Sequence, residues 1–324
     1  MNTIINLNNK KKMNNQENSL ENLQGSFTPE DLGIAKLNTG RLALLDADRV
    51  KYIVPDRIYK IKAENEAKGI HDIYMKEELV VTETRKWVEE WLMKIDDPIL
   101  FCFSDSTDNV FRSHLVSEKK YKGNRKRDSN YRHYEGKEDD MYNSAKFIMN
   151  NYPSLIVDGL EADDIVSALQ DKDWTYIVSN DKDLKQIPGY HFNESTNNIE
   201  IVSEIDAMKH LVRQMIKGDT TDNIGGIPKR GDKYADSFIE KVDPKFYLPY
   251  LLREYQIAFN SLTRGAEAFA ENLMLIKMKT DRGDYFKEKY AHMFDVKEML
   301  VNKIKQSQES VIISYLWSLI EPIT

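Results

Sequence analysis

The chain is nearly devoid of cysteine, with one residue, Cys102, in 324. No internal disulfide is possible, and a lone thiol inside Ile99-Leu100-Phe101-Cys102-Phe103 reads as a small core residue. Long apolar runs are missing as well. No segment approaches the ~20 apolar residues of a membrane span, and the best candidate, 311–320, is interrupted by Ser314 and Ser318. The N-terminal residues lack the compact apolar core of a secretion signal. The expectation is a cytoplasmic protein with no membrane partner. The six histidines show no zinc-type spacing, there is no Gly-x-x-x-x-Gly-Lys-Ser/Thr phosphate loop, and Asp181 to Asp183 lacks the glycine and terminal Glu of an EF-hand. Zinc chemistry, nucleotide hydrolysis and calcium sensing are therefore unsupported.

Charge is abundant but uneven. The net charge is −7 and the pI about 5.6, which alone argues against a nucleic-acid partner. Yet residues 119–137 hold five Lys and three Arg against one Asp and one Glu. Such a segment is either a solvated surface insertion or a groove that tracks phosphates. Tyr121, Tyr131, His133 and Tyr134 are interleaved for stacking on unpaired bases.

Residues 1–37 are rich in Asn, Lys and Gln and show no sustained period, so a disordered tail is expected. Leu20, Leu23 and Phe27 leave open a short docking helix for a partner. Order is expected from Arg41. Leu42-Ala43-Leu44-Leu45, Ile99 to Phe103, Leu155-Ile156-Val157 and Tyr176-Ile177-Val178 are short apolar runs suited to strands buried on both faces. Between them, residues 74–94, the stretch around 141–150, and 163–169 have helical apolar spacing. Strands alternating with helices predict an α/β fold with a parallel sheet. From Ile205 the pattern becomes helical, with Leu211, Val212, Met215 and Ile216 on one face. The expected division is a tail (1–37), a catalytic domain (38–205) and a helical domain (206–324).

The acidic residues follow this pattern. In open parallel sheets ligands bind beyond the carboxyl ends of the strands. Asp46 follows the first predicted strand, Asp105 the second, Glu161 with Asp163 and Asp164 the third, and Asp181 with Asp183 the fourth. Each group alone fits an ordinary helix N-terminus or turn; their joint placement at strand ends points to a divalent-metal site. Two carboxylates about 5 Å apart repel by roughly 3 kcal/mol at an effective dielectric near 20, so the cluster requires cations. Asp219 and Asp222, three apart, would share one side of a helical turn. The glycine-containing stretch after them, with Lys229, Arg230 and Lys233, could offer backbone N–H groups and charge to a phosphate.

These motifs, in this order, resemble the flap endonuclease / 5′-3′ exonuclease family: Asp46; Phe103-Ser-Asp105 with Phe111-Arg112; Tyr121-Lys-Gly-Asn-Arg125; Gly159-Leu-Glu161-Ala-Asp163-Asp164; Ser179-Asn-Asp181-Lys-Asp183; and Gly218-Asp219-x-x-Asp222-Asn223. The likeness covers roughly residues 40–240 and is similar to bacteriophage 5′-3′ exonucleases and the 5′-nuclease domain of bacterial DNA polymerase I. It implies a PIN-like parallel-sheet nuclease core, a helical arch and a helix–three-turn–helix element for duplex DNA. It implies two Mg²⁺ ions, replaceable by Mn²⁺, with Asp46, Asp105, Glu161 and Asp163 as one ligand group and Asp164, Asp181, Asp183, Asp219 and Asp222 as the other. Lys122 and Arg125 would contact the scissile phosphate and Tyr121 would stack on the terminal base. Lys119, Lys126, Arg127, Lys229, Arg230 and Lys233 would meet the nucleic-acid backbone.

The implied substrates are DNA with a 5′ flap, nick or free 5′ end, and RNA–DNA hybrids at primers. The implied setting is replication, in the host cytoplasm if the source is viral, with a monomeric enzyme and a replication-protein partner reached through the tail. The hairpin departs from the family: Lys229-Arg230-Gly231 stands where Gly-Ile-Gly is usual. Alternatives are a PIN-like ribonuclease and a catalytically silent DNA-binding accessory protein. The element at 218–235 argues against the first and the full carboxylate set against the second.

Overall fold

The computed structural model describes residues 36–69, 76–115, 119–124, 136–173 and 175–278. Nearly all of the expected tail, the stretch 125–135 with Arg125, Lys126 and Arg127, and the candidate apolar run at 311–320 lie outside these residues. Order begins earlier than Arg41. Leu37 bridges Ile95 in parallel, and the Asp97 carboxylate accepts the Thr39 and Gly40 N–H groups at 2.9 and 2.8 Å.

The chain runs β1 (Leu42–Asp46), α1 (Val50–Ala67), α2 (Lys76–Lys94), β2 (Ile99–Phe103), a single helical turn (Phe111–His114) and α3 (Lys137–Asn151). It continues through β3 (Ser154–Ile156), α4 (Ala162–Leu169), β4 (Thr175–Val178), a 3₁₀ turn (Lys182–Gln186), β5 (Gly189–Asn193) and β6 (Asn198–Val202). Then follow α5 (Glu204–Lys217), the short pair β7 (Gly218–Asp219) and β8 (Ile224–Gly225), α6 (Asp232–Lys241), α7 (Tyr247–Ala258) and α8 (Leu262–Ile276).

The main sheet has the order β3-β2-β1-β4-β5-β6, parallel throughout except for the antiparallel β5–β6 edge. The α/β expectation holds. Successive side chains of a strand face opposite ways, so each buried strand feeds two layers. Ala43, Leu45, Phe101, Phe103, Tyr176 and Val178 pack against Val54 and Ile58 of α1, Trp87 and Trp91 of α2 and Ile148 of α3. Leu44, Cys102 and Ile177 point to the other face, against Ile165 and Val166 of α4. Cys102 is the core residue its surroundings suggest. Strand order turns back between β1 and β4, which leaves a crevice beyond their carboxyl ends. Asp46 ends β1 and Asp181 follows β4, so both stand at this crevice.

A separate apolar cluster unites α5, α6, α7 and α8, with Leu211, Val212, Met215 and Ile216 buried as their spacing requires. Two ties fasten this part to the sheet. Gln186 donates to the Ile276 carbonyl at 3.1 Å and accepts from Met278 N at 2.9 Å; Arg112 Nε donates to the Leu275 carbonyl at 2.9 Å.

Two elements differ from the sequence reading. Helix α1 was not expected, because its buried positions are few (Val50, Val54, Pro55 and Ile58) and Pro55 lies inside it. Proline lacks the N–H for the helical ladder, yet the packed face holds the helix. Asp219 and Asp222 do not share a helical turn. Asp219 sits in β7 and Asp222 in the loop that follows, where Asp219 Oδ1 accepts the Thr221 and Asp222 N–H groups at 2.7 and 3.3 Å. That loop still aligns the two acids, by side chain to backbone bonds rather than helical pitch.

Gly218 and Gly226, on either side of this pair, serve close backbone packing. Gly218 has φ +73, and a Cβ on Gly226 would come within 2.2 Å of the Lys217 carbonyl carbon. They permit backbone to cross backbone at the end of α5. Gly226→Ala is expected to lower stability by about 1–3 kcal/mol through overpacking, read as a fall in the thermal midpoint. Gly231→Ala, whose added methyl meets nothing within 4 Å, should melt within a degree or two of the parent. Equal melting of both variants would contradict the crossing.

Candidate active site

The crevice opens into a cleft of about 330 Å³ lined by Asp46, Glu161, Asp163, Asp181, Asp183, Asp219 and Asp222, together with Asp48, Arg112, Tyr121 and Lys122. Asp46 is buried at the end of β1; its Oδ1 accepts Asp48 N at 3.3 Å and its Oδ2 accepts the Ser179 hydroxyl at 3.1 Å. Glu161 and Asp163 stand at the N-terminus of α4, where the helix dipole favours carboxylates. Asp181 Oδ1 accepts Asp183 N at 2.8 Å, and Asp183 faces Asp219 across the cleft.

Two cations offset part of this charge. Arg112 is buried and uses its whole guanidinium. One Nη1 contacts Glu161 at 2.8 Å and Asp164 at 2.5 Å, and Nη2 contacts Asp164 at 2.8 Å. Lys122 donates to Glu161 Oε1 and lies 3.9 Å from Asp222. Burial would raise the Glu161 carboxyl, but the Arg112 and Lys122 charges outweigh it and hold the group at about 2.

At Asp46, Asp163 and Asp183, burial and like charge outweigh any cation. Burial, then the neighbouring Asp48 charge, pushes Asp46 up to about 6. Burial, then Asp181 and Asp219, pushes Asp183 up to about 7. Asp163 is raised well above the usual carboxylate range by burial, then by Asp46 and Asp181. One oxygen of Asp163 and one of Asp183 are buried without a hydrogen-bond partner. Orphaned acceptors beside carboxylates reluctant to ionise are the signature of a cation-binding donor set. All-oxygen donors suit a hard ion such as Mg²⁺ or Mn²⁺. As the side chains stand, no group of three His, Cys, Asp or Glu among the described residues has the convergence to hold an ion. The Lys122 ammonium meets Glu161 where an ion would also need access.

The structure gathers seven of the nine sequence-named acids and sets two apart. Asp164 is fully buried behind the cleft, paired to Arg112 on both oxygens. Asp105 serves its own loop: it accepts Ser106 N at 2.7 Å and Gly159 N at 2.8 Å, and Asn109 Nδ2 donates to it. Neither lines the cleft. Both expectations took strand-end position for cleft membership, whereas the loop after β2 turns its carboxylate inward to satisfy backbone donors.

Tyr121 also departs from its expected exposed, base-stacking position. Its ring is 7% exposed within the apolar cluster of α5 to α8, and its hydroxyl lies 2.9 Å from Glu161 Oε2 and 3.0 Å from Asp222 Oδ2. A phenol gains more from that burial and pairing than from solvent. Lys119 lies apart, in a groove of about 290 Å³ with Gly225, Gly226 and Asn272. Lys229 and Lys233 are exposed near the turn before α6, and the Arg230 guanidinium covers the Tyr234 ring at 3.8 Å. Pattern reading missed the tasks of Arg112, Asp48 and Ser179. Asp48 and Ser179 had a signal, since each lies two residues from a cleft acid. Arg112 had one only as part of the Phe111-Arg112 motif, which does not say what the guanidinium meets, because tertiary packing alone buries it.

No protein-family profile matches the chain. Among curated proteins it is 34% identical over 102 residues to the 5′-3′ exonuclease of Buchnera aphidicola, covering 27% of this chain and 36% of that protein. It is 32% identical over 165 residues to the exodeoxyribonuclease of Enterobacteria phage T3, covering 48% and 50%. It is 35% identical over 106 residues to DNA polymerase I of Rhizobium leguminosarum, covering 28% and 10%. The chain thus spans half or less of the length of the curated relatives it matches. The resemblance drawn from the motifs is to these same kinds of protein. Among solved structures, the bacteriophage T5 D15 protein co-crystallised with metal ions superposes with a TM-score of 0.51 at 17% identity, covering 82% of this chain and 99% of that one. The T5 D15 flap endonuclease in a complex with DNA and metal ions gives 0.50 at 16%, covering 81% and 100%. At that identity the match shows a shared fold.

Asp46, Asp163 and Asp183 make a testable linkage. Their folded pKa values lie above the unfolded value, so the stability they contribute is present at low pH and lost as pH rises through the folded pKa. His191 and His210, both held at about 4 by burial first, are neutral in the fold, but their unfolded imidazoles lose protons near pH 6.5, which adds stability as pH rises and opposes the carboxylates there. That contribution is common to the parent and to Asp183→Asn. In chelator, the parent is therefore expected to lose stability relative to Asp183→Asn between pH 6.5 and 8, by roughly 1 kcal/mol, and Mn²⁺ should raise the parent's thermal midpoint more at pH 8 than at pH 6.5. A parent that gains stability relative to Asp183→Asn over this interval in chelator would contradict the assignment.

Proposed function

We propose that the chain is a metal-dependent, structure-specific 5′ nuclease that hydrolyses phosphodiesters near the 5′ ends of DNA or RNA–DNA. The observation that supports this above all is that seven carboxylates from four separate segments line one cleft, with two buried oxygens left unpartnered. Asp46, Glu161, Asp163, Asp181, Asp183, Asp219 and Asp222 would hold two Mg²⁺ ions, or Mn²⁺ in their place. Bound there, the ions supply an activated water and stabilisation of charge on the reacting phosphate.

The chain's own residues divide the remaining work. The carboxylates orient and hold; they do not attack. Arg112 fixes Glu161 from behind, leaving its other oxygen toward the cleft. Lys122, on a backbone held in the left-handed region (φ 54) and by its N–H to the Asp222 carbonyl at 2.8 Å, carries its ammonium at the cleft wall. From there it would neutralise the scissile phosphate. Arg125 would assist it from the arch segment. We further propose the division into a catalytic part at 38–205 and a DNA-binding part from 206. In the latter, α5, the β7–β8 pair and α6 would serve as the helix–three-turn–helix element, and Lys229, Arg230 and Lys233 would meet duplex phosphates. Flaps, nicks and free 5′ ends are the expected substrates, acted on by a monomer in replication with a partner reached through the N-terminal residues.

A labelled 5′-flap substrate tests the reading: it should be cut with Mg²⁺ and left intact with EDTA. Asp181 is exposed, so Asp181→Ala should keep its fold and its DNA binding while losing cleavage by 10²-fold or more. Residual activity equal to the parent would remove its ligand role. Lys122→Ala should slow single-turnover cleavage on the order of 10²-fold; a change under about threefold would remove its contact with the reacting phosphate.

A further inference from the structure

The α1 side of the cleft carries a cation that the nuclease reading leaves without a task. Arg49 closes the 3₁₀ turn Ala47–Arg49 that links β1 to α1, and it lines the cleft beside Asp46 and Asp48. Helix α1 packs on one face of the sheet and α4 on the other. Lys122 is tied to Glu161 at the start of α4, so the two cations reach the cleft from opposite faces. Among the described residues, Arg49 makes no ion pair with a cleft acid. Its neighbour Asp48 is already engaged, with Oδ1 accepting Lys51 Nζ at 2.6 Å and Ser104 N at 3.2 Å.

What holds Arg49 is weak and redundant. Its one guanidinium partner among the described residues is Glu194, in the turn between β5 and β6, at 3.4 Å, with the two side chains 30% and 26% exposed. Glu194 has better partners. Lys94 donates to it at 3.0 Å, and Asn180 Nδ2 donates as well. Burial works against the Glu194 charge, but Lys94 and Asn180, and after them Arg49, hold its carboxyl below the usual range. Departure of Arg49 would leave Glu194 paired and hydrogen-bonded, and a long, part-exposed ion pair contributes little. A guanidinium presents a planar fork of donors that matches two oxygens of a phosphodiester, and it stays charged at any working pH. One strand carries a phosphate every 3.4 Å or so of axis. A cleft of about 330 Å³ that admits the scissile phosphate therefore borders the neighbouring phosphates as well.

We propose that Arg49 binds the phosphodiester next to the scissile one, on the α1 side of the cleft, and that Glu194 parks the guanidinium until substrate arrives. The proposal rests on the nuclease reading and deepens it, adding a contact that none of the residues named for it above supplies. On binding, a non-bridging phosphate oxygen replaces Glu194 Oε2 as the acceptor, while Lys94 and Asn180 keep Glu194 satisfied. Lys122 on the scissile phosphate and Arg49 on its neighbour would fix two successive phosphodiesters and so orient the strand over the acids.

Single-turnover cleavage of a labelled 5′ flap in Mg²⁺, run over a range of enzyme concentrations, tests the contact by separating the half-saturating concentration from the limiting rate. Arg49→Gln is expected to raise the half-saturating concentration about threefold or more near 0.1 M salt and to lower its salt slope by about 0.9, with a smaller change in the limiting rate. Arg49→Lys, which keeps the charge without the fork, should recover the salt slope and part of the affinity. Glu194→Gln, whose amide oxygen can still accept from Asn180, should free Arg49 and lower the half-saturating concentration. A pair that served only to hold the fold would shift both Gln variants in the same direction. Lys60→Gln on α1 should match the parent. A neutral methylphosphonate, placed in turn at the two phosphodiesters flanking the scissile one, locates the contact: at one of them its effect and that of Arg49→Gln should overlap rather than add. An unchanged half-saturating concentration in Arg49→Gln would overturn the contact, as would a Glu194→Gln that binds no more tightly, or full additivity at both flanking positions. If the contact fails while the parent cuts the flap, the nuclease reading stands. A parent that does not cut removes that reading itself.

Discussion

Like charge gathered beyond what the protein can neutralise is the constraint on which this structure depends. Seven carboxylates line one cleft, and Arg112 and Lys122 both pair with one of them, Glu161, Lys122 also lying 3.9 Å from Asp222. Glu161 is held ionised at about 2, whereas Asp46 and Asp183 are pushed to about 6 and 7 and Asp163 higher. The division is physical. Glu161, paired to two cations, keeps its charge, and Asp46, Asp163 and Asp183, where burial and like charge outweigh any cation, resist ionising. An arrangement of this kind gives up stability, as functional centres commonly do.

The fold makes the gathering possible. The strand order turns back between β1 and β4 and opens a crevice where Asp46 and Asp181 stand. The N-terminus of α4 supplies Glu161 and Asp163, and the β7–β8 pair brings Asp219 and Asp222 from the helical part. The last contribution requires the helical part to be held fast. Arg112 and Gln186 do this by reaching from the sheet side to backbone carbonyls at the end of α8. Arg112 thus has two tasks: it pairs Glu161 and Asp164, and it anchors the end of α8. Its burial with two carboxylates would be costly if either contact were lost.

The net charge of −7 is at odds with a DNA partner only when taken as an average. Seven carboxylates are gathered in the cleft, while cations border it on α5 and the 182–186 turn. Tyr121, buried with its hydroxyl between Glu161 and Asp222, joins the two parts at the point where the acids from both meet.

Much of this was legible in the sequence. The second strand matches its expected span residue for residue, and the other three lie within a residue or two, because continuous apolar runs leave a parallel strand little freedom. The acids at strand ends were legible for the same reason: once the strands are placed, the carboxyl edge follows. Helix α1 was hidden by its sparse apolar positions and Pro55, and the β5–β6 edge by alternation too short to read. Asp105 and Asp164 were assigned to the cleft because sequence reports where a residue leaves the backbone but not where its carboxylate turns. Backbone donors in the loop after β2 claim one, and Arg112 claims the other. Local pattern determined which segments are strands and which acids lie near their ends. Packing between distant segments decided which oxygens face the cleft, since burial and partner choice depend on neighbours that the chain brings together only when folded.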